Sequence, residues 1–454
     1  MNEAALAGWL CRAAGATRLE IAGRSLMAGG AIQQNWRLDV RVDGVPQHWV
    51  LRTDAAATLS HSRSRADEFA LLRAAFAASV TVPEPLFLCA DGSITGKPFF
   101  VMRRVDGIAA GHRVVRSETL GGGRAALVAA LGREMARIHS IRPPRADLAF
   151  LAAPEAAPTA RFVAEMRSHL DGGRTPRPVL EWGLRHLERI AQPTDTLVLC
   201  HNDFRTGNLM VSDAGITGIL DWEFANWGDR HEDIGWLCAP CWRFGGPGEV
   251  GGIGDRAGFY AAYEAEAGVG IDPARVAWWE LAAVIRWAVI AIAQVERHIS
   301  GADPSLELAL TGHIVPGLEL LVLQLCGCHP SPQASSTRGE GEATHHSALE
   351  QPAGADLLDI ARQTLASLLP ALDGDARFQA LMVGNAMAIA GREMSHGCHE
   401  AASAAAALGE HGAVCAAIRA GEYDDGARDH VRIAAALHAL TVARCRVSAP
   451  KALD

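Results

Sequence analysis

Lysine is almost absent from this chain of 454 residues: Lys97 and Lys451 are the only lysines among 42 basic residues. A site that ordinarily uses lysine must therefore use another cation here. The net charge is −9 and no segment forms a basic stripe, which argues against a dedicated nucleic-acid-binding protein and against general binding to anionic membranes. Hydrophobic residues, at 49%, suffice for sizeable cores and exclude a mostly disordered chain.

Signals for export or for a membrane span are also weak. Residues 1–20 contain Glu3 and only short apolar runs, unlike a signal peptide. We therefore expect a cytoplasmic protein whose 10 cysteines are reduced thiols. The longest apolar stretch, residues 278–295, is interrupted by Glu280 and Arg286. These charges favour a buried helix over a transmembrane one.

Three groups of cysteine and histidine have spacings that could suggest metal or redox sites: Cys238 with Cys241, Cys326 with Cys328, and His396 with Cys398 and His399. No second CxxC pair follows at a zinc-like spacing, and the third group has no apparent fourth ligand. We therefore interpret all three as structural.

The chain separates into regions by pattern, and together they predict an α+β protein with an added all-α domain. Residues 1–106 alternate strand-like runs with turns, and residues 107–326 are mostly helical with a short β interruption. Residues 327–354 are rich in Gly, Ser, Pro, Glu and His, which is typical of a linker. Separate apolar stripes in residues 355–454 predict an independent helical bundle.

Several elements can be predicted individually. The dipeptide Asp43-Gly44 between two strand-like runs predicts a hairpin. Residues 64–77 have the apolar face of a helix. A second helix is predicted to end at His139, because its apolar residues recur at intervals of four, four and three: Leu127, Leu131, Met135 and Ile138.

The most informative stretch is a strand, a polar loop and a second hairpin between residues 197 and 223. This order predicts that Asp203, Asn208 and Asp221 lie near one another at strand ends. Two carboxylates and an amide oxygen are hard ligands suited to Mg²⁺. Phosphoryl transfer needs such a set, with one Asp for the acceptor hydroxyl and an Asn and another Asp for Mg²⁺ on the nucleotide phosphates. The alternative is a purely structural hairpin.

The order H-x-D-x-x-x-x-N, followed by the triplet Asp221-Trp222-Glu223, resembles the aminoglycoside phosphotransferase and choline kinase-like family. Residues 201–208 and 228–236 are similar to the branch that includes the phosphotransferase region fused to some acyl-CoA dehydrogenases. The resemblance covers about residues 20–325 and implies a two-lobed, protein-kinase-like fold. The tail resembles a domain of unknown function found beside such phosphotransferases.

The resemblance implies a role for each matching residue of the loop. Asp203 would be the catalytic carboxylate, and His201 would orient the loop rather than act as a base. Arg205, in the same loop, is a further candidate for a catalytic residue. Asn208 and Asp221 would hold Mg²⁺.

The resemblance also implies a nucleotide site in the first region. Gly29 and Gly30 fit the loop that covers the phosphates, although an ordinary turn is the alternative. Arg52 stands where the family has a lysine, and it keeps the charge with a different geometry. Its expected partner is Glu68, with Asp67 as the competitor. The hinge, residues 99–107, would meet the adenine, with Met102 in the nucleotide site.

Two features remain open from the sequence. The resemblance implies that Asp233 supports the catalytic loop or the substrate region, and the alternative is a carboxylate at a helix N-terminus. The tryptophans of the second region would wall an acceptor pocket or belong to the core: Trp222, Trp227, Trp236 and Trp242.

These observations predict an enzyme that uses ATP, or another nucleoside triphosphate, with Mg²⁺ to phosphorylate a hydroxyl of a small molecule. We expect no nucleic-acid or membrane partner. A negative net charge would suit a polycationic aminoglycoside, but the branch resemblance favours a hydroxylated acyl group or another metabolite. The alternatives are a catalytically weak nucleotide-binding regulatory module, for which Arg52 is the only support, and a scaffold that acts through its tail.

Overall fold

A computed structural model describes residues 2–27, 33–54, 63–191, 193–194, 196–328 and 354–454. The predicted phosphate loop at Gly29 and Gly30 lies outside these residues. The side chains of residues 396–399, which include the histidine and cysteine group of the tail, also lie outside the description.

The first region is built on a five-stranded antiparallel sheet with the order β1-β2-β3-β5-β4. Its strands are β1 (Leu19–Leu26), β2 (Gln33–Val42), β3 (Val45–Asp54), β4 (Pro85–Cys89) and β5 (Phe99–Arg103). The predicted hairpin is confirmed, since β2 and β3 are joined at Asp43 and Gly44, which both have positive φ. The α+β expectation is confirmed here.

Alternation along β3 decides which side chains reach each face of the sheet. Trp49 and Leu51 join the core formed with α1 (Glu3–Ala13). Val50 lies on the opposite face, in the core that includes residues of α2 (Arg65–Ala77). Arg52 follows Val50 by two residues and therefore points to the α2 side.

The rest of the chain is mainly helical and contains two short β pairs, β6 with β9 and β7 with β8. Its elements are α3 (Gly111–Arg116), α4 (Arg124–His139), α5 (Pro158–Asp171), α6 (Pro178–Arg189), β6 (Leu197–Cys200), β7 (Leu209–Ser212), β8 (Gly215–Ile219), β9 (Asn226–Asp229), α7 (Arg230–Cys238), α8 (Arg256–Ala267), α9 (Pro273–Ile299), α10 (Leu306–Thr311), α11 (Val315–Leu325), α12 (Gly354–Leu368), α13 (Gly374–Arg392), α14 (Cys398–Leu408), α15 (His411–Ala420) and α16 (His430–Ser448). The helix predicted to end at His139 is α4, and its apolar stripe is buried.

The chain divides into two compact units. The first contains Met1–Pro158 and Gln192–Glu280, and the second contains Thr159–Ala191 and Leu281–Asp454. The candidate catalytic residues all belong to the first unit. This division differs from the regions drawn from the sequence, because it does not separate the helical tail from the helices before the linker.

Within the second unit, tail helix α15 packs on α6, and α16 packs on α11. Arg185 of α6 also forms an ion pair with Asp424 at 2.5 Å. The expectation that the tail packs as its own bundle is therefore not what the structure shows. The tail helices do have apolar stripes, but helices that precede the linker in the chain pack against part of them.

Among the residues that the structure describes, two helices are long and apolar enough to cross a membrane by length and composition alone: Pro273–Ile299 and Leu306–Leu325. A bent pair in the tail would make a third. In the most apolar window of the first helix, 67% of the residues are buried inside the protein, against 44% in the second. The first contains the stretch for which the sequence predicts a buried helix, and the expectation of no membrane partner stays a prediction.

Candidate active site

The loop between β6 and β7 holds four of the residues predicted from the sequence. The chain leaves β6 at Cys200, turns through a 3₁₀ segment at Thr206–Asn208 and enters β7. The Leu220 N–H, just after β8, donates to the carbonyl oxygen of Asn208 at 2.9 Å. This bond ties the end of β8 to the start of β7 and brings Asp221 next to the loop, as the sequence predicts.

Asp203 is held by side chains on both sides of its carboxylate. Asn208 Nδ2 donates to Asp203 Oδ2 at 2.5 Å and to the Asp203 carbonyl oxygen at 3.0 Å. Arg205 Nε and Trp236 Nε1 donate to Oδ1 at 2.9 and 3.1 Å. Burial raises the pKa of Asp203, and the charge of Arg205 opposes that rise. The carboxylate is therefore fixed in orientation and more basic than an exposed one.

His201 is fully buried and organises the loop through both ring nitrogens. The Asp203 N–H donates to His201 Nδ1 at 3.2 Å. His201 Nε2 lies 2.9 Å from the Leu220 carbonyl oxygen. Because Nδ1 accepts, Nε2 carries the proton and donates. Burial also lowers the pKa of His201, so a neutral ring in this tautomer links the loop to the end of β8.

Asp233 supports the loop from the first turn of α7. It is completely buried, and it accepts the backbone N–H groups of His201 at 2.6 Å and Asn202 at 2.7 Å. Burial alone would raise the pKa of Asp233, but the hydrogen bond from His139 and the neighbouring charges lower it overall. Of the two alternatives left by the sequence, these contacts fit support of the catalytic loop.

Arg52 occupies the position predicted for the missing lysine and joins two acidic residues. Its Nε lies 2.9 Å from Glu68 Oε1, and its Nη2 donates to Asp221 Oδ1 at 2.9 Å. Glu68, not Asp67, is thus the helix partner. Glu68 also contacts Arg65, which in turn pairs with Asp54 at 3.0 Å. Arg52 and Glu68 are buried, so each charge needs the other in this environment.

Asp221 has an unusual backbone conformation for a residue other than glycine, with φ of 62°. Asp tolerates the left-handed region better than most residues, and such conformations concentrate at functional sites. The side chain keeps 38% of its surface exposed, so it remains accessible despite its ion pair with Arg52.

A cavity of about 390 Å³ lies beside these groups. Its walls include both apolar and charged residues: Val50, Leu72, Phe100, Met102, Ile219, Arg52, Glu68, Asp221 and Glu223. Met102, which the resemblance implies to be part of the nucleotide site, is thus one of the lining residues. Apolar walls beside a few convergent polar groups are typical of a small-molecule site.

Two further residues of this cavity were not among the sequence-predicted site residues. Gln33 Nε2 donates to Glu223 Oε2 at 2.7 Å, and both side chains are buried. Glu223 could have been selected because it directly follows Asp221-Trp222. Gln33 is one polar residue within a strand, and nothing in the sequence distinguishes it.

The four tryptophans singled out from the sequence are all buried, and Trp222 also lines the cavity described above. Trp222 and Trp227 are almost completely buried in the core. Trp236 and Trp242 lie with ring centroids 5.1 Å apart, and the Arg205 guanidinium lies 4.9 Å from the Trp242 ring centroid. This second pair therefore lines the surroundings of Asp203. A Cβ on Gly207 would meet Arg205 Nη1 at 2.7 Å, so glycine there leaves room for the guanidinium.

The donor set suits a hard cation. Both hydrogen bonds of the Asn208 amide nitrogen go to Asp203, which leaves Asn208 Oδ1 as an acceptor. Asp221 Oδ1 accepts from Arg52, while the second oxygen of the same carboxylate offers another ligand. Oxygen donors of this kind fit Mg²⁺.

The chain is similar to known proteins in both sequence and fold. The profile described as "Phosphotransferase enzyme family" matches residues 25–279, and "Domain of unknown function (DUF6285)" matches residues 370–452. In structure, the chain is similar to a Ralstonia eutropha JMP134 protein assigned as an aminoglycoside phosphotransferase, with a TM-score of 0.57, 20% identity, and coverage of 72% of this chain and 98% of that one. This likeness confirms the kinase-like fold.

Two curated relatives match part of the chain. Acyl-CoA dehydrogenase family member 10 of Mus musculus is 31% identical over 205 residues, which are 42% of this chain and 18% of that protein. Acyl-CoA dehydrogenase family member 11 of Gallus gallus is 28% identical over 196 residues, 41% of this chain and 24% of that protein. The chain thus spans about a fifth to a quarter of the length of these relatives, and the branch resemblance is confirmed.

Proposed function

We propose, from the premise that the chain belongs to the phosphotransferase enzyme family, that it transfers the γ-phosphoryl group of ATP, or of another nucleoside triphosphate, to a hydroxyl of a small molecule. The observation that carries this proposal is the oriented carboxylate of Asp203, in the loop whose Gly207 lines the same cavity as Arg52 and Asp221. A base, a phosphate-binding cation and an additional carboxylate are the parts that phosphoryl transfer requires.

Asp203 would accept the proton of the acceptor hydroxyl. Burial raises the pKa of this carboxyl, which increases the basicity of its ionised form. The hydrogen bonds from Asn208, Arg205 and Trp236 hold it still, so little reorganisation is needed when the hydroxyl arrives. The acceptor oxygen then attacks the γ-phosphorus, and the nucleoside diphosphate leaves with the bridging electron pair.

Arg52 would bind the nucleotide phosphates. Glu68 holds the Nε side of its guanidinium and Asp221 accepts from Nη2, so phosphate oxygens would bind Nη1 and replace Asp221 at Nη2. An arginine fork matches those oxygens well. Apolar residues of the cavity wall, among them Leu72, Phe100 and Met102, would enclose the base of the nucleotide.

Asn208 and Asp221 would hold Mg²⁺, which when bound would neutralise charge on the phosphates. Arg205 lies on the other side of Asp203, braced on the Trp242 ring. Its guanidinium would stabilise negative charge on the phosphoryl group during transfer, because a cation fixed before the reaction costs no reorganisation.

We propose as acceptor a hydroxylated acyl compound or another hydroxylated metabolite. The support is the similarity to proteins named as acyl-CoA dehydrogenase family members, of which this chain covers only a part. A cytoplasmic location and the absence of a nucleic-acid partner remain predictions from the sequence.

A second candidate is a nucleotide-binding module with weak catalysis. The observation that favours it is the engagement of Arg52 by two carboxylates, Glu68 and Asp221, which offsets the charge available to phosphate. Both candidates predict nucleotide binding, and only the first predicts transfer.

The test screens hydroxylated metabolites for phosphorylation by the full chain in the presence of ATP and Mg²⁺. The Asp203→Asn variant is the matched negative control. Phosphorylated product that depends on Asp203 supports the enzyme. A thermal shift with ATP and Mg²⁺ but no product across the panel favours the binding module. Neither a shift nor a product would contradict both.

A further inference from the structure

A second group of ligating side chains lies behind the catalytic loop. His139 ends α4, Cys200 ends β6 and Asp233 lies in the first turn of α7. All three residues are buried, and one ligand atom from each lies within 4.8 Å of the other two. We propose that these residues form a site for a soft or borderline divalent cation, of which Zn²⁺ is the biological example. The proposal does not depend on the phosphotransferase activity.

The spacing of His139 and Asp233 suits a metal at least as well as a hydrogen bond. His139 Nε2 and Asp233 Oδ2 are 3.3 Å apart, whereas a charge-assisted N–H···O bond is usually about 2.7–2.9 Å. Zinc bonds of about 2.0–2.2 Å to nitrogen and oxygen in a tetrahedron give a ligand separation of about 3.3–3.5 Å. The two atoms therefore already have the separation of one edge of a zinc site.

The surroundings of His139 resemble the outer shell of a metal site. His139 Nδ1 lies 2.8 Å from the hydroxyl oxygen of Tyr263. A metal-bound histidine normally donates its second N–H to such an oxygen, and this fixes the ring orientation and the tautomer. With Nε2 on the metal, the ring proton would lie on Nδ1 and Tyr263 would accept it.

Asp233 can serve the metal without releasing the loop. Its Oδ1 accepts the Asn202 N–H, and one lone pair of Oδ2 accepts the His201 N–H. The second lone pair of Oδ2 faces His139 and is the one that a cation would use. A cation bound at this site would thus hold the Asp233 carboxylate in place, and this carboxylate in turn holds the loop that contains Asp203.

Charge and ligand chemistry select the class of cation. A thiolate, a carboxylate and a neutral imidazole carry two negative charges, which balance a divalent ion in a buried position. Binding replaces the S–H bond of Cys200 with a metal–sulfur bond, and one proton leaves to solvent. The thiolate selects Zn²⁺ or Co²⁺ over Mg²⁺, so this site would not compete for the Mg²⁺ of the cleft.

The experiment titrates the full-length protein with Co²⁺ and follows the near-ultraviolet charge-transfer band of a thiolate–Co²⁺ bond. Zn²⁺ binding is then measured by competition. We compare wild type with Cys200→Ala and His139→Gln, and Cys238→Ala is the matched control, since Cys238 is equally buried in the same unit. Loss of an outer-shell partner costs about 10–100-fold in affinity, so loss of a ligand should weaken binding by at least about tenfold.

We expect one thiolate-bound Co²⁺ in wild type and in Cys238→Ala, displaced by one Zn²⁺, and no such band in Cys200→Ala. Affinity should rise with pH, because a thiol proton is released. An absent band in wild type, or an unchanged band in Cys200→Ala, would overturn the proposal. Circular dichroism shows whether Cys200→Ala is folded. If it is not, the His139→Gln variant provides the test, and tight Co²⁺ binding by that variant would also overturn the proposal.

Discussion

Arg52 and Glu68 form a buried ion pair with 2.9 Å between Nε and Oε1, at the position where the resemblance to the phosphotransferase family implies a lysine. The pair links β3 to α2, and Arg65 contacts Glu68 on its other side. We expect Arg52→Lys to keep part of the activity, because the charge remains but the fork is lost. Arg52→Ala should raise the ATP requirement sharply and also slow the transfer.

Steady-state kinetics at varied ATP concentration measure both Arg52 variants. Arg37→Ala is the matched control, since Arg37 lies on neighbouring strand β2 in a more exposed pair with Asp39. If Arg52→Ala behaves like the parent, the phosphate contact lies elsewhere.

Replacement of Asp203 by Asn tests the proposed base. The amide keeps the shape of the side chain but cannot accept the hydroxyl proton, so kcat should fall by about 10²–10⁴. Nucleotide affinity should change little, because the Arg52 pair is not altered. Rate measurements with the acceptor found by screening check this, with Asp213→Asn in the exposed turn after β7 as the control. Near-normal turnover of Asp203→Asn would exclude Asp203 as the base.

Asp221→Ala should abolish Mg²⁺-dependent transfer, because the amide oxygen of Asn208 alone is a weak ligand for a hard cation. The same change removes one partner of Arg52, so binding of metal-free ATP should be retained. Titration of Mg²⁺ against the activity of the variant separates these effects. Full recovery at modestly higher Mg²⁺ would reduce Asp221 to a secondary role.

The pH dependence of stability should reflect Asp229, a buried carboxylate that His231 and Arg275 contact at 2.7 and 3.0 Å. Burial opposes ionisation, but the hydrogen bonds and charge of His231 and the charge of Arg275 lower its pKa from 3.8 to about 2. Because the folded pKa lies below the unfolded one, the ionised group contributes stability above about pH 4. That contribution is lost as the pH falls toward 2.

A shift of this size corresponds to about 2 kcal/mol at neutral pH. Asp229→Asn should therefore lower the free energy of unfolding by about that amount at pH 7, and the difference from wild type should shrink between pH 4 and pH 3. Urea denaturation at these pH values measures it. A difference that stays constant down to pH 3 would contradict the assigned cause.

Truncation after Cys326 tests how the second unit is built. The shortened chain would lose the helices that pack on α6 and α11, and each large aliphatic side chain so exposed costs about 1.5–3 kcal/mol. We expect lower solubility and a lower melting temperature. The full-length Arg185→Ala variant is the control, since it removes one ion pair and leaves the apolar packing. A soluble truncated protein with an unchanged melting temperature would show that the tail is dispensable for this unit.

Local patterns predicted much of the fold and the site. The stripe ending at His139 marked α4, Asp43-Gly44 marked the β2–β3 hairpin, and the residue order from His201 to Asp221 predicted a cluster that the structure brings together. Each of these predictions rests on residues close in the chain, whose relative positions one helix or one hairpin determines.

Predictions that needed distant partners were less complete. Gln33 reaches Glu223 across 190 positions of the chain, and no periodicity reports such a contact. The apolar stripes of the tail predicted its helices, but they did not predict which other helices pack against those stripes. One apolar face can pack against many others. His139, Cys200 and Asp233 likewise meet only through the packing of three separate elements.

The hydrogen bond from Arg52 Nη2 to Asp221 also has a kinetic consequence. Without a nucleotide, the Nη2 group of Arg52 already donates a hydrogen bond to the Asp221 carboxylate. A nucleotide phosphate that bound at this position would replace the Asp221 carboxylate on Arg52. Its binding free energy would therefore be less favourable than for an arginine that no carboxylate contacts. In the proposed phosphotransferase, the same exchange would operate in reverse when the diphosphate leaves, because Asp221 would again accept from the guanidinium. Product release would thereby be accelerated, and nucleotide binding would be weaker.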